Sequence, residues 1–265
     1  VTMASSIELK DLVSSGSPLL VTEDIREWDE KAGKSRVYRK TRYGVLEVSS
    51  ILLKEDDPSH HASTGSSSDH LLQQLRKNWP KPFESSEEFD GYLIRQKLAY
   101  DAKLSDHIWN RDELLELLFA HICDEATSFS DVAQRPILEW LRYCVGEDEF
   151  SNLQKVAPIT ISVGAGHKVK IHYSESSPPW IEARLQNFFG QASTPKIMEG
   201  RLPLTLHLLA PNMRALQVTT DLASFWQRIY PSLRNEYQRK YPRHYWPEDP
   251  MKAEPPPMKP PRKPR

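Results

Sequence analysis

Residues 200–250 have the sequence GRLPLTLHLLAPNMRALQVTTDLASFWQRIYPSLRNEYQRKYPRHYWPEDP, which joins two apolar runs to an aromatic helix-like segment. Leucines alternate with other residues over 204–208, and 216–218 form a second apolar run, so both segments are predicted strands. The segment that follows has an apolar face at helical spacing. That face consists of Leu222, Phe225, Trp226, Ile229, Leu233 and Tyr237. The stretch therefore predicts two strands and a helix.

The predicted helix has a start signal and an internal break. Thr220 or Asp221 is the expected N-cap, because a side-chain oxygen at that position accepts a hydrogen bond from the first helical turn. Pro231 lacks a backbone N–H, so it should kink or restart the helix.

Residues 157–199 supply the first half of the same predicted domain. Two alternating strands, 159–163 and 169–173, flank a turn at Gly164-Ala165-Gly166. Pro178 and Pro179 then begin a predicted helix that Gly190 ends, because proline suits the first helical turn and glycine suits the residue after the last. The order β-β-α-β-β-α over residues 157–246 predicts an α+β domain.

Four other regions differ in composition. Residues 19–53 alternate like two or three meandering strands, a unit too small to be a domain by itself. The serine-rich residues 55–70 are a predicted linker. Apolar side chains recur at helical spacing over 71–156, which predicts a helical domain. The proline-rich residues 247–265 are a predicted disordered tail.

The composition favours a globular chain without membrane spans or disulfides. Of its 265 residues 38% are hydrophobic, but the longest apolar runs fall well below the roughly 20 residues of a membrane helix. No charged segment followed by an apolar one opens the sequence, so we expect no signal peptide. Cys123 and Cys144 lie far apart in apolar, helical surroundings, which predicts buried reduced thiols and favours a cytoplasmic location.

No residue pattern indicates catalysis or metal binding by this chain. The sequence contains no P-loop, DEAH box, GxSxG or HExxH motif. The glycines before His167 lie between two predicted strands and indicate a hairpin turn. His60 and His61 are adjacent in a serine-rich loop and cannot face one ion, and His207 lies alone in a strand, so we assign no catalytic or metal-binding residue.

Charge is unevenly distributed along the chain. The formal net charge is −1, yet residues 228–265 hold ten basic and four acidic residues, which leaves an excess of seven negative charges on the first 227 residues. A basic end on an acidic chain suits an anionic partner such as nucleic acid. A tail that only improves solubility is the alternative.

Two segments combine basic with aromatic side chains. Guanidinium and ammonium groups bind phosphates, and aromatic faces stack on unpaired bases. The candidate nucleic-acid contacts are Arg36, Arg39, Lys40 and Arg42 in the N-terminal meander and Arg228, Arg234, Arg239, Lys240 and Arg243 near the C-terminus. The alternative is structural: Tyr237 and Trp246 would fix the tail to the domain, and the arginines would only be solvated.

Three segments, in order, resemble one known family. They are APITISVGAGHKVKIHY (157–173), PPWIEARLQNFFG (178–190) and the 200–250 stretch, with its PLTLHLLAP, QVTTDL and YPRHYWPEDP runs and its Phe225-Trp226 pair. Together they resemble the C-terminal region of HrpB, a family of bacterial DEAH-type ATP-dependent RNA helicases. The resemblance is strong over about 150–250 and weaker through the helical middle. It also includes REWDEKAGKSRVYRKTRYGVLEV (26–48).

The resemblance implies a larger enzyme that hydrolyses ATP and translocates on or unwinds RNA, with ATP and Mg²⁺ bound by two RecA-like motor domains. This sequence has neither the P-loop nor the DEAH box of such a motor, so no catalytic, cofactor-binding or metal-binding residue is carried over. The fragment should be inactive alone. Residues 1–54 would be the closing part of an oligonucleotide-binding (OB)-like β domain, truncated at Val1. The implied partners are single-stranded or structured RNA and, in cis, the motor domains, with no membrane and no metal.

Two functions from different classes stay open. The first is an accessory region of an HrpB-like helicase that supplies nucleic-acid backbone contacts and packs against the motor. The second is a protein-protein interaction module without a direct nucleic-acid role, with residues 158–240 as its surface and the proline-rich tail as a ligand. An independent hydrolase is disfavoured, because no paired nucleophile and base is visible.

Overall fold

The computed structural model describes residues 9–54 and 65–256. Their helices are α1 (Leu9–Ser14), α2 (Ser67–Asn78), α3 (Glu87–Asp101), α4 (Arg111–Glu125), α5 (Phe129–Ala133), α6 (Ile137–Val145), α7 (Glu147–Val156), α8 (Leu222–Ser224) and α9 (Tyr230–Lys240). Their strands are β1 (Leu20–Asp29), β2 (Lys34–Tyr43), β3 (Leu46–Leu52), β4 (Thr160–Val163), β5 (His167–His172), β6 (Trp180–Arg184), β7 (Lys196–Ile197), β8 (Leu202–Pro203), β9 (Thr205–Leu209) and β10 (Ala215–Thr219). The α+β class is therefore confirmed. In the described part of the chain, no helix has the length and apolar character of a membrane span.

The chain divides into two compact units. The first consists of residues 1–88 and 111–144, and the second of residues 89–110 and 145–265. The first unit contains an antiparallel sheet in the order β1-β2-β3, so the predicted meander is confirmed. Within the described residues this sheet is open, and the predicted OB-like barrel is not confirmed.

Helix α2 begins inside the stretch predicted as a linker. Ser66 caps it: its hydroxyl accepts a hydrogen bond from the Asp69 backbone N–H, while the Asp69 carboxylate accepts one from the Ser66 backbone N–H. Residues 67–70 are therefore helical, and residues 55–64, with His60 and His61, lie outside the described residues. The apolar stripes of the helices are buried as their spacing predicts, since Leu71, Leu75, Leu114, Leu118 and Ile122 are fully enclosed.

A five-stranded sheet is the centre of the second unit, with the strand order β10-β9-β6-β5-β4. Strands β6 and β9 are parallel, and the other neighbours are antiparallel. Ile171, Ile181 and Leu206 are at most 2% exposed and define the buried face of the sheet. Because successive side chains of a strand point to opposite faces, the residues between them lie on the outer face.

The helix predicted over residues 178–190 is wrong. Residues Trp180–Arg184 form strand β6, and Leu185–Phe188 form a short 3-10 turn. Both the helical and the two-residue period fit the apolar residues of this stretch. Pairing with β9 decides between them, because β6 lies inside the sheet and its backbone groups find their hydrogen-bond partners there. The predicted order β-β-α-β-β-α is corrected accordingly.

Residues 222–240 form one irregular helix. The Asp221 carboxylate accepts a hydrogen bond from the Ser224 backbone N–H at 3.0 Å, which identifies Asp221 as the N-cap. Residues Phe225–Ile229 are π-helical, and Pro231 lies in the first turn of α9. The prediction that Pro231 restarts the helix is confirmed, since the wider π turn accommodates its missing N–H.

Residues 247–256 pack on the second unit, so the disordered tail predicted from residue 247 is wrong for this part. The Tyr230 hydroxyl donates to the Pro247 carbonyl at 2.9 Å, and the Gly190 N–H donates to the Pro250 carbonyl at 2.9 Å. Gly164 allows close packing nearby, because a Cβ at this position would lie 2.1 Å from the Asn187 carbonyl oxygen. The rest of the predicted tail, 257–265, lies outside the described residues.

Candidate nucleic-acid interface

The predicted basic residues of β2 lie beside carboxylates of the neighbouring strands. Arg39 is directly opposite Asp24, and its Nε and Nη2 donate to the two Asp24 oxygens at 2.8 and 2.9 Å. Arg42 Nη1 donates to Glu23 at 3.1 Å. These arginines are cross-strand partners of acidic residues, an arrangement that stabilises an antiparallel sheet.

Lys40 and Arg36 are paired in the same way. Lys40 Nζ lies 2.8 Å from Glu27 and 3.2 Å from Glu47, and the hydrogen bond from Lys40 to Glu27 raises the pKa of the lysine. Arg36 Nε lies 3.1 Å from Asp29 Oδ2, although the angle is not that of a hydrogen bond. Each predicted contact on β2 thus has a carboxylate with which a phosphate would compete.

The predicted C-terminal residues have two different environments. Arg228, Arg239 and Arg243 are exposed, and no described carboxylate lies within 4 Å of any of them. Lys240 is also exposed, and its Nζ lies 5.4 Å from the Tyr237 ring centroid. These four cations are available to an external anion.

Arg234 instead holds the chain that follows α9. Its Nε donates to the Trp246 carbonyl at 3.0 Å, and its Nη2 lies 3.4 Å from Glu248. Trp246 is only 4% exposed, and its indole N–H donates to the Tyr241 carbonyl at 3.2 Å. Trp246 thus fixes the following segment to the domain, as the structural alternative expects, whereas Arg234 is bonded to that segment and is not merely solvated.

The outer face of the five-stranded sheet has further basic and aromatic residues, which sequence analysis missed. On β5 the alternating pattern places Lys168, Lys170 and His172 on this face, and on β6 it places Trp180 and Arg184 there. The alternation of Lys168, Lys170 and His172 was visible in the sequence. Trp180 and Arg184 could not be placed on this face from the sequence, because their segment was predicted to be a helix and is strand β6.

Three aromatic rings stack across the outer face, and we call them the ring stack: His172, Trp180 and His207. The His172 and Trp180 centroids are 3.9 Å apart with an interplanar angle of 10°, and those of Trp180 and His207 are 4.4 Å apart at 16°. The rings belong to the neighbouring strands β5, β6 and β9. His207, predicted to be an isolated strand histidine, is therefore one end of an ordered aromatic array.

A groove of about 1020 Å³ runs beside the ring stack, and we call it the basic groove. Its basic lining is Lys168, Lys170, Arg184 and Arg243, beside His167, His172 and His244. Its acidic lining is Glu182 and Glu254. Of the predicted contacts, Arg243 lines the basic groove, where it lies with Lys168 and Lys170 of β5 and Arg184 of β6.

The floor of the basic groove contains a buried amide without a hydrogen-bond partner. Gln186 is 5% exposed, and neither its Nε2 nor its Oε1 has a partner in the described structure. Leaving a buried polar group unpaired costs on the order of 1–3 kcal/mol. Both atoms are enclosed by the protein, so a molecule in the groove does not reach them.

A second groove, of about 790 Å³, lies within the first unit. Its basic lining is Arg26, Lys34, Arg36 and Lys54, and Asp131 is its acidic residue. Arg26 Nη1 donates to the Ser67 hydroxyl at 2.8 Å. No aromatic side chain lines it among the described residues, so it lacks the stacking surface that accompanies the basic groove.

The described residues offer no further candidate site among the cysteines or for a metal ion. Cys123 and Cys144 are free and half-buried, and burial raises the pKa of the Cys123 thiol to about 11 and that of Cys144 to about 12. Residues 9–54 and 65–256 contain no group of three or more His, Cys, Asp and Glu side chains that could hold a metal ion.

The chain is similar to known helicases. A model of the family described as ATP-dependent helicase C-terminal (HrpB_C) matches residues 118–250. The ATP-dependent RNA helicase HrpB of Escherichia coli (strain K12) is 30% identical over 264 residues, which are 96% of this chain and 31% of that protein.

Two solved structures are similar in fold. The crystal structure of the E. coli DExH-box NTPase HrpB has a TM-score of 0.64 at 27% identity over 94% of this chain and 31% of its own. The crystal structure of the Escherichia coli DEAH/RHA helicase HrpB has a TM-score of 0.55 at 26% identity over 87% of this chain and 29% of its own. The chain thus spans about a third of these relatives.

Proposed function

Since the chain belongs to the HrpB C-terminal family of ATP-dependent helicases, we propose that it is an accessory region that makes nucleic-acid backbone contacts for a helicase motor. The partner is single-stranded or structured RNA, and the motor domains are a second partner in cis. ATP and Mg²⁺ belong to that motor, because this sequence has no P-loop to hold them. A cytoplasmic location is part of the same proposal.

The observation that supports this function best is the set of cations at the basic groove. Lys168, Lys170, Arg184 and Arg243 come from β5, β6 and the segment after α9, and they line one concave surface. A positively charged groove that tracks a phosphate backbone is typical of sequence-independent binding to single strands. The exposed Arg228, Arg239 and Lys240 would extend the same electrostatic attraction.

The basic residues of β2 take a smaller part in this proposal. Arg39 donates two hydrogen bonds to Asp24. A phosphate that binds Arg39 must displace this carboxylate, so the net binding free energy of such a contact is small. The same reasoning applies to Arg36, Lys40 and Arg42 beside their carboxylates. Arg234 is anchored to Trp246 and has the least freedom of the C-terminal residues.

The three-stranded sheet supports packing against further protein. Exposed apolar side chains follow its strands, among them Val21, Val45, Leu46, Ile51 and Leu52, which are 47–97% exposed. Exposed apolar side chains concentrated on one small sheet are typical of a surface that other protein covers. We propose that residues 1–54 complete an OB-like domain of the helicase, that 71–156 are its helical domain and that 157–246 are its C-terminal α+β domain.

Fluorescence anisotropy of a labelled single-stranded RNA tests the nucleic-acid part. Each phosphate contact on a single strand contributes about −0.7 to the slope of log affinity against log salt. Contacts from Lys168, Arg184 and Arg243 give a slope of about −2.1, hence about a 20-fold loss of affinity between 50 and 200 mM salt. Absence of binding at 50 mM salt, or binding indifferent to salt, would contradict the function.

Variants locate the contacts. Arg184→Ala should lower the magnitude of the salt slope by about 0.7, because it removes one phosphate contact. Lys155→Ala is the matched control, since Lys155 is an exposed cation of the same unit that does not line the groove. Equal slopes for Arg184→Ala and Lys155→Ala would place the contacts elsewhere.

The apolar surface of the first unit favours a protein-interaction module as the second candidate function. A module without a direct nucleic-acid role should bind separately purified HrpB-type motor domains in a pull-down and lose this binding with Ile51→Asp, while neither wild type nor variant binds the labelled RNA at 50 mM salt. A chain that binds the motor normally after this substitution would exclude the β3 surface from the interaction.

A further inference from the structure

We infer that the basic groove binds the unpaired bases of single-stranded RNA, with His172 at the end of the ring stack and Tyr245 as stacking partners. This inference rests on the proposed function and deepens it, because backbone contacts alone need only cations. It assigns a role to aromatic residues that family membership does not explain.

The ring stack has the geometry of a platform for a base. Its rings are nearly parallel, and Trp180 lies between the two imidazoles, so further stacking takes place at an end of the array. His172 is the end ring that lines the basic groove. A base that enters the groove would add a fourth layer to an array that is already ordered, which limits the entropy lost on binding.

A second aromatic side chain lies in the same groove. Tyr245 is 64% exposed and is held by an edge contact with Phe189 at 6.2 Å between centroids. An exposed tyrosine offers a rigid stacking surface at low cost in conformational entropy. The groove thus has aromatic rings from β5 and from the segment after α9, and both segments also contribute cations.

In a duplex the bases are stacked and paired inside the helix, whereas the bases of a single strand can turn outward and stack on aromatic rings. The aromatic rings and cations that line the basic groove therefore favour single strands over duplexes.

The test compares two RNA probes of equal length and charge. One is a 12-nucleotide oligouridine, and the other is a 12-nucleotide RNA backbone in which the bases are replaced by abasic sites. Wild type should bind the normal oligonucleotide about 5- to 150-fold more tightly, the range expected for one stacked base. Tyr245→Ala and His172→Ala should reduce this preference while the salt slope stays the same, because stacking releases no counterions. Tyr245→Phe should restore the preference.

Tyr100→Ala is the control, since Tyr100 is an exposed aromatic residue of the same unit outside the groove. Tyr245 is mostly exposed, so its removal leaves the fold intact, and circular dichroism of each variant verifies this. If wild type binds both probes equally well with normal salt dependence, the base-stacking inference is overturned and the proposed function stands. If wild type binds neither probe at low salt, both are overturned.

Discussion

Replacement of Glu149 should destabilise the second unit severely, because one carboxylate oxygen there joins three elements. Glu149 Oε1 accepts hydrogen bonds from the Tyr92 hydroxyl at 2.9 Å, from Gln96 Nε2 at 3.1 Å and from Trp109 Nε1 at 2.9 Å. Tyr92 and Gln96 lie on α3, Trp109 lies in the segment before α4, and Glu149 itself lies on α7. Tyr92 and Gln96 are almost completely buried.

The magnitude follows from the number of donors and their burial. A hydrogen bond to a charged acceptor contributes about 1.5–3 kcal/mol net, and donors that share one acceptor do not add independently. We expect Glu149→Ala to lower the free energy of unfolding by about 3–5 kcal/mol, a large share of the 5–15 kcal/mol typical of a domain. Glu149→Gln keeps an acceptor oxygen without the charge and should cost about 1–3 kcal/mol.

Urea denaturation combined with amide hydrogen exchange of α3 and α7 measures this effect. Exchange is needed because a chain with two compact units need not unfold in a single transition. Glu236→Ala is the matched control, since Glu236 is an exposed glutamate of α9, and it should change stability by less than about 0.5 kcal/mol. If Glu149→Ala unfolds at the same urea concentration as Glu236→Ala, the carboxylate does not join these elements.

Three further predictions follow from single contacts. Burial raises the thiol pKa of Cys123 to about 11 and that of Cys144 to about 12. At pH 8 the thiolate fraction falls about 90-fold for Cys123 and about 900-fold for Cys144, so a disulfide reagent should label the folded chain at least about 90 times more slowly than the unfolded chain, and fast labelling of the folded chain would contradict this. The hydrogen bond from Ser224 lowers the pKa of the Asp221 carboxyl, so its stabilisation is present above the ordinary value of 3.8 and is lost as pH falls through the lowered value. Asp221→Ala should therefore lower Tm at pH 7 and have little effect near pH 2, whereas equal effects at both pH values would refute the cap. Arg243→Ala should weaken RNA binding more than Arg39→Ala, because only Arg39 has a carboxylate partner, and equal losses in the anisotropy assay would contradict that difference.

The fold could be predicted from sequence where local patterns are unambiguous. The β1–β3 meander has glycines at both turns, and the buried stripes of α2 and α4 recur at helical spacing, so these elements were predicted correctly. Strand β6 could not be predicted in this way, because its identity depends on pairing with β9, a distant segment.

The candidate site was only partly predictable for the same reason. Arg243 was identified from its basic and aromatic surroundings, but the groove that it lines exists only once β5 and β6 are adjacent. The acidic partners of the β2 residues were present in the sequence of β1. Only the register places Asp24 opposite Arg39, and alternation alone does not fix a register.

Photocrosslinking maps the RNA-binding surface directly. A 12-nucleotide RNA containing 4-thiouridine is irradiated with the chain at 50 mM salt, and the crosslinked peptides are identified by mass spectrometry. We expect crosslinks at groove-lining residues within 167–172, 182–189 and 243–245, and fewer of them with Tyr245→Ala. Crosslinks confined to β2, with the 167–184 peptides unmodified, would contradict the assignment of the basic groove as the RNA-binding surface.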